Sequence, residues 1–455
     1  MSSVKKNNPP VYLRNVIFVA VLFMLWIFLI FFILPATPPL NLSPVPTTSP
    51  TTTVCPEDTG LIYIYDLPPK FNHELLRRCR SLNIYTDMCP YIANQGLGGP
   101  THSALFSDQV NGSNWYATHQ FIAEMIFHAR LENHRCRTED ATQAEIFYAP
   151  FYTGLYASSV FRESELSERD RLAVEFTEFI RQQPAFRRCG GADHFVVTGR
   201  TAWDFMRRDD DDQEDFGANR LFMLPEIRKM KVLTVERHPW DGTNQFGIPY
   251  PSYFHPWISS DVTIWQEKVR KSHRTHLFSF VGGPRKGLGK AAVREQILQQ
   301  CGRSNRCLRS KCEPGSVLCY EPGRVLDVMM KSEFCMQPPG DSFTRRSVFD
   351  SILAGCIPVF FSEHTAYTQY GWYLPDSWQE YSIFVPKEKW GKIEEELSSV
   401  AESVVRNLRT RVIQLIPSLS YVHPNSTEPG LRDAVDVALV KLTEDVRQFS
   451  VGRKF

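Results

Sequence analysis

The stretch Ser332–Phe361, SEFCMQPPGDSFTRRSVFDSILAGCIPVFF, decides the fold. A short apolar run breaks at Pro338-Pro339-Gly340, resumes at helical spacing from Phe343, stops at Gly355, and a second apolar run follows over Ile357–Phe361. Strand, turn, helix and strand in that order form the repeating unit of a parallel sheet. Asp341, Ser342 and Thr344 are placed to cap the helix. Arg345 and Arg346 fall in its first turn, where cations oppose the macrodipole. That placement makes sense if an anion shares the same end. Arginine suits forked phosphate contacts, and Asp341 or Asp350 can accept hydrogen bonds from ribose hydroxyls. The expected chemistry is nucleoside-diphosphate binding by Gly340, Asp341, Ser342, Arg345, Arg346 and Asp350.

The same alternation repeats on both sides of this unit. Continuous apolar runs at Leu61–Leu67, Glu145–Tyr152, His194–Thr198, Lys231–Glu236 and His276–Gly282 read as strands buried on both faces. Helices are expected over Trp115–Asn133, Glu163–Gln182, Ala291–Gln300, Phe343–Ala354, Lys387–Arg409 and Gly430–Phe449. The loop-rich stretch before HLFSFVGGPRKG places a domain boundary near 255–275, so two α/β domains are expected to face a cleft at their strands' carboxyl ends. In Phe278–Ala292, FSFVGGPRKGLGKAA, a strand meets a Gly-rich turn and a helix start. Gly283 to Gly289 is one residue too long for a Walker loop, and Ala291 stands where Ser or Thr is required. A kinase or dehydrogenase is therefore disfavoured, whereas Arg285 and Lys286 still suit a diphosphate.

The amino-terminal run Asn15–Leu34, NVIFVAVLFMLWIFLIFFIL, carries no charge. At about 20 residues it is long enough to cross a bilayer and longer than a cleaved leader's core. Lys5, Lys6 and Arg14 precede it and Glu57 is the first charge after it, which predicts a type II signal anchor. The Pro- and Thr-rich segment that follows reads as an extended stem. Eleven cysteines, with sequons at Asn111 and Asn425, fit an oxidising lumen with disulfides and glycans. Cys301, Cys307, Cys312 and Cys319 lack the paired spacing of a zinc site. A net charge of +1 points to no nucleic-acid partner.

The unit around Ser332–Phe361 resembles the exostosin-like glycosyltransferases of family 47. Phe334, Cys335, Pro338, Gly340, Asp341, Arg346, Asp350, Gly355, Cys356, Ile357, Pro358 and Val359 match that family's signature. Ile62–Asn72, Asn114–Leu131, Asp193–Phe205, Thr234–Trp257 and Ala366–Pro375 resemble its plant xyloglucan galactosyltransferase branch. The resemblance implies a GT-B fold of two Rossmann-like domains, UDP-galactose as donor and co-substrate, and inverting transfer onto xylose side chains of xyloglucan. It also implies a Golgi membrane location with a luminal body, and complexes with other Golgi glycosyltransferases. The expected organisation is a cytosolic tail over 1–14, the anchor over 15–34, the stem over 35–58, an acceptor-side domain over 59–265 and a UDP-sugar domain with terminal helices over 266–455.

An inverting displacement needs a base beside the acceptor hydroxyl and cations beside the departing UDP. His194 and Glu236, at predicted strands of the first domain, are the base candidates. Aromatic residues between Trp240 and Trp257 are candidates for stacking on sugars. The acidic run Asp209–Asp212 follows Arg207-Arg208 rather than an apolar strand, so it reads as a solvated loop and no metal or other cofactor is expected. Two alternatives remain: the same fold with a galacturonosyl or arabinosyl donor, and a non-catalytic Golgi scaffold.

Overall fold

The computed structural model describes residues 22, 24, 54–106, 114–208, 217–285, 287–312, 321–428 and 430–452. The chain divides into Met1–Thr52 and Thr53–Phe455. Of the expected anchor only Leu22 and Met24 are described, so the anchor and most of the stem lie outside the described residues, as do Asn111, Lys286 and the run Asp209–Asp212.

In the larger unit the first sheet is built from β1 (Ile62–Ile64), β2 (Arg137–Thr138), β3 (Ile146–Tyr148), β4 (His194–Thr201), β5 (Lys231–Glu236) and β6 (Gln245–Gly247), ordered 2-1-3-4-5-6. Its helices include α1 (Ala123–Glu132), α2 (Thr153–Val160) and α3 (Leu166–Gln182). Leu172, Ala173, Phe176, Thr177 and Ile180 form the buried stripe of α3, at the spacing of one helical face. The connecting helix α4 (Ser259–Lys271) starts with Asp261, which accepts the backbone N–H groups of Trp257 and Ile258, and ends among Lys268, Arg270 and Lys271. Acid first and base last both suit the helix dipole.

The second sheet comprises β7 (His276–Gly282), β8 (Cys307–Lys311), β9 (Ser332–Gln337), β10 (Ile357–Phe360) and β11 (Ile383–Phe384), ordered 11-10-9-7-8. Helices α5 (Val293–Arg303), α6 (Pro322–Met330), α7 (Arg346–Leu353) and α8 (Glu402–Gln414) accompany it. Strand pairs in both sheets run parallel, giving two α/β halves, each built on a parallel sheet as the alternation in the sequence predicts. The last helix, α9 (Ala434–Gly452), crosses back onto the first half. Thr443 Oγ1 accepts the Gly60 N–H at 2.9 Å, Asp445 pairs with Lys231 at 2.8 Å, and Arg447 pairs with Glu145 at 2.8 Å. Buried Arg130 meets Asp433 at 2.9 Å just before the helix.

One apolar cluster runs through both halves, from Val197, Leu233 and Val235 through Tyr250 and Tyr253 to Val348, Phe349 and Tyr370. Gly247 shows how close the halves come, since a Cβ there would lie 2.3 Å from the Gln369 carbonyl oxygen. The helix expected from Trp115 begins only at Ala123. Trp115 instead bridges to Phe254 in an antiparallel pair and stacks on Phe106 at 4.1 Å, so tertiary aromatic packing overrides the helical spacing. Disulfides join Cys55–Cys136, Cys79–Cys89, Cys301–Cys307 and Cys335–Cys356, and Cys189 is free among the described residues. Asn425 is exposed.

Candidate functional site

The carboxyl ends of β5 and β6 meet the second half at a polar seam. Tyr370 Oη donates to the Val235 carbonyl at 2.8 Å, the Arg237 N–H donates to Gln369 Oε1 at 2.9 Å, and Arg237 Nη1 donates to the Thr368 carbonyl at 2.9 Å. At the centre of the seam stands Glu236, the last residue of β5 and fully buried. Its Oε1 accepts from Trp203 Nε1 at 2.8 Å and from the Phe343 N–H at 3.3 Å, while its Oε2 accepts from the Thr344 N–H at 2.8 Å and from the Thr344 hydroxyl. A carboxylate of the first half therefore occupies the backbone N–H groups just before α7. With four donors on two oxygens, Glu236 is a clamp between halves, not a base open to an acceptor.

This arrangement makes a specific expectation for Glu236→Gln. The new amide NH2 would face donors it cannot accept from, which costs roughly 1–3 kcal/mol. Thermal unfolding should shift down accordingly, with kcat falling no more than about tenfold, whereas loss of a general base removes about 10²–10⁴. Paired melting and turnover measurements separate the two roles.

His194 is also corrected. It begins β4, at the amino edge of a parallel sheet and away from the seam, and is fully buried. Its Nε2 shares a 2.7 Å hydrogen bond with Tyr65 Oη, its Nδ1 shares one of 2.7 Å with Asp193, and its ring stacks on Phe147 at 4.8 Å. Both nitrogens are committed inside the core of the first half.

Around the turn after β9 the two adjacent arginines part company. Arg346, only 9% exposed, turns into the core: it donates to the Thr118 carbonyl at 3.1 Å and to Tyr253 Oη, lies over the Tyr253 ring at 4.4 Å, and pairs with Asp350 at 3.4 Å. Asp350 also accepts from Ser252 Oγ at 2.5 Å, and burial holds its pKa above the ordinary carboxylate value. This pair ties α7 to the first half and does not face the turn as the sequence suggested. Arg345 behaves differently. Its Nε donates to the Pro338 carbonyl at 2.9 Å, and its two terminal nitrogens carry no further bond among the described residues. A Cβ on Gly340 would fall 1.5 Å from Arg345 Nη2, so the bare glycine makes room for this guanidinium. Ser342 closes the turn, its carbonyl accepting the Gly340 N–H at 2.9 Å.

Three more cations gather here. Arg285 pairs with exposed Asp341 at 3.1 Å, and Lys290 lies over the Phe343 ring at 5.0 Å. Arg294, on α5, donates to the Pro339 and Gly283 carbonyls at 2.7 Å each, lacing the β7 turn to the β9 turn. Burial pulls the Arg294 pKa down to about 9, helped by repulsion from Arg345 and Arg285. Burial likewise lowers Arg345 and Lys290, and each is further lowered by a neighbouring arginine. Four crowded cations thus face Asp341, with Glu236 already engaged, leaving positive charge in want of an anion. Sequence reasoning passed over Arg294, although it interrupts the buried stripe Val293, Ile297 and Cys301 of its helix. A cation inside an apolar stripe is the signal that marks it. Among the described residues no cluster of His, Cys, Asp and Glu is arranged to hold a metal.

Residues 57–400 match the family described as the Exostosin GT47 domain. The chain is 56% identical over 386 residues to a probable xyloglucan galactosyltransferase GT17 of Arabidopsis thaliana, a match covering 85% of this chain and 83% of that one. It is 41% identical over 391 residues to the xyloglucan galactosyltransferase MUR3 of the same plant, covering 85% and 62% of the two chains. The xyloglucan galactosyltransferase XLT2, also from Arabidopsis thaliana, is 40% identical over 397 residues, covering 84% and 74%.

Proposed function

Because the chain belongs to the exostosin GT47 family of glycosyltransferases, we propose that it moves galactose from UDP-galactose to the xylose side chains of xyloglucan. The observation that carries this reading is the under-compensated cationic cluster at the carboxyl ends of β7 and β9. Arg345, Lys290 and Arg285 would take the diphosphate, with Gly340, Asp341 and Ser342 shaping the turn and Arg294 holding it in place. As the bond from the sugar's anomeric carbon to the diphosphate oxygen breaks, negative charge grows on the leaving UDP. Fixed cations in a partly dry site stabilise that charge more than they stabilise the intact donor. The acceptor hydroxyl attacks from the opposite face, which inverts the anomeric centre, and its proton passes to solvent as the new C–O bond forms.

The proposed setting is the Golgi lumen, with the body held by the apolar run at 15–34. The disulfides Cys55–Cys136, Cys79–Cys89, Cys301–Cys307 and Cys335–Cys356 and the exposed sequon at Asn425 favour an oxidising, glycosylating compartment. The proposal includes no metal, since the cations named above can perform the charge neutralisation. Purified body incubated with a panel of UDP-sugars and xylosylated glucan oligosaccharides tests it. Turnover confined to UDP-galactose is expected and should persist in a chelator. Turnover with UDP-galacturonic acid or UDP-arabinose instead would replace the donor, and failure to bind UDP at all would replace the enzyme with a scaffold.

A further inference from the structure

Trp240 is 62% exposed, although it sits at the seam and not on a free surface loop. Its indole is nevertheless held in place. Edge-on contacts fix it to His238 at 5.5 Å and Trp203 at 6.3 Å from the first half, and to His364 at 5.4 Å and Phe343 at 6.1 Å from the second. Trp203 and Phe343 both donate to Glu236, so the cluster adjoins the turn that carries Arg345. Lys290 over the Phe343 ring marks the same boundary from the donor side.

The polar atoms around the rings are set as well. His238 Nδ1 accepts the backbone N–H groups of Asp241 at 2.9 Å and Trp240 at 3.3 Å, which leaves the proton on Nε2 as a donor. His364 Nδ1 is engaged with Thr368 Oγ1 at 3.1 Å. A held, uncovered indole bordered by two imidazoles whose Nδ1 atoms are already engaged is suited to a ligand that is apolar on its face and hydroxylated at its edge. A β-linked glucose ring has that character: axial C–H groups lie against the aromatic face, and equatorial hydroxyls reach polar neighbours.

We propose that Trp240, framed by Trp203, His238, Phe343 and His364, is the platform on which the glucan backbone of the acceptor stacks during transfer. The inference rests on the acceptor reading given under Proposed function and adds the residue that binds it. An aromatic platform beside the donor turn places a polysaccharide along the seam, so that one side chain at a time comes opposite the sugar nucleotide.

The test compares wild type, Trp240→Phe and Trp240→Ala in the complete luminal body. Acceptor KM and kcat are measured with xylosylated glucan oligosaccharides, and UDP affinity is measured by calorimetry. Tryptophan fluorescence is titrated in parallel with those oligosaccharides, unsubstituted cello-oligosaccharides and polygalacturonate. Expected are a tenfold or greater rise in acceptor KM for Trp240→Ala, a small rise for Trp240→Phe, UDP affinity within twofold in both, and quenching by both glucans but not by polygalacturonate. Unchanged acceptor KM in Trp240→Ala, with wild type active, overturns the platform and leaves the function standing. Wild type inert toward xyloglucan yet quenched through Trp240 by cello-oligosaccharides overturns the acceptor assignment and leaves the platform standing. A fall in UDP affinity equal to the rise in KM overturns the platform by making Trp240 part of the donor site.

Discussion

Replacing Arg345 with alanine should abolish most turnover while leaving the fold intact. Among the described residues the guanidinium makes one hydrogen bond, from Nε to the Pro338 carbonyl, so its loss costs the folded state about 1 kcal/mol. Its free terminal nitrogens are what a diphosphate would take. A charge-assisted hydrogen bond contributes roughly 1.5–3 kcal/mol, or about 10–100-fold in UDP affinity. The developing charge on the leaving group makes the kinetic loss larger, about 10²–10³ in kcat. Arg345→Lys should recover only part of this, because an ammonium lacks the planar fork. Gly340→Ala should reproduce the Arg345→Ala defect without touching the arginine, since the added Cβ and Nη2 cannot share the same space. Calorimetry with UDP, turnover and a melting curve on each variant decide the matter. Full UDP affinity in Arg345→Ala would remove the donor from this turn.

Arg346→Ala should do the reverse. Here the loss falls on stability, because Asp350 would remain buried with only Ser252 beside it and the Thr118 carbonyl would lose its donor. Breaking one side of a buried ion pair costs about 3–5 kcal/mol, and the packing over Tyr253 goes with it. A midpoint drop of roughly 5 °C is expected for a chain of this size. Measured below that midpoint, UDP affinity should stay within twofold of wild type. Removing both partners as Arg346→Met with Asp350→Leu should recover much of the lost stability, since neither member then leaves a charge behind. Lost UDP affinity with an unshifted melting curve would return Arg346 to the donor site.

These two arginines show where sequence reading stops. The turn, its glycine and the helix after it are legible from PPGDS and the apolar spacing that follows. Which of two adjacent arginines faces the turn is decided by Tyr253, Ser252 and Thr118, which lie far away in the chain. Glu236 was legible as a carboxylate ending a strand, but the donors that saturate it come from residues 343 and 344, in the other half. For His194, the position at the start of a parallel strand already sets it on the edge opposite the ligand side. The long buried strands β5 and β7 match their apolar runs because burial on both faces writes itself into composition. The edge strands β2, β8 and β11 did not announce themselves. Two have two residues each, and β8, CLRSK, is largely polar.

The return of α9 to the first half has a consequence for biosynthesis. Nascent domains ordinarily fold in the order in which they are made. Here the Gly60 N–H finds Thr443, 383 positions later, and Lys231 and Glu145 find partners on that same helix. The earliest-made layer therefore stays unfinished until the final turns of chain have been released. Contacts of such long separation make assembly slow. The first half can therefore be sealed only after residues 434–452 have been made.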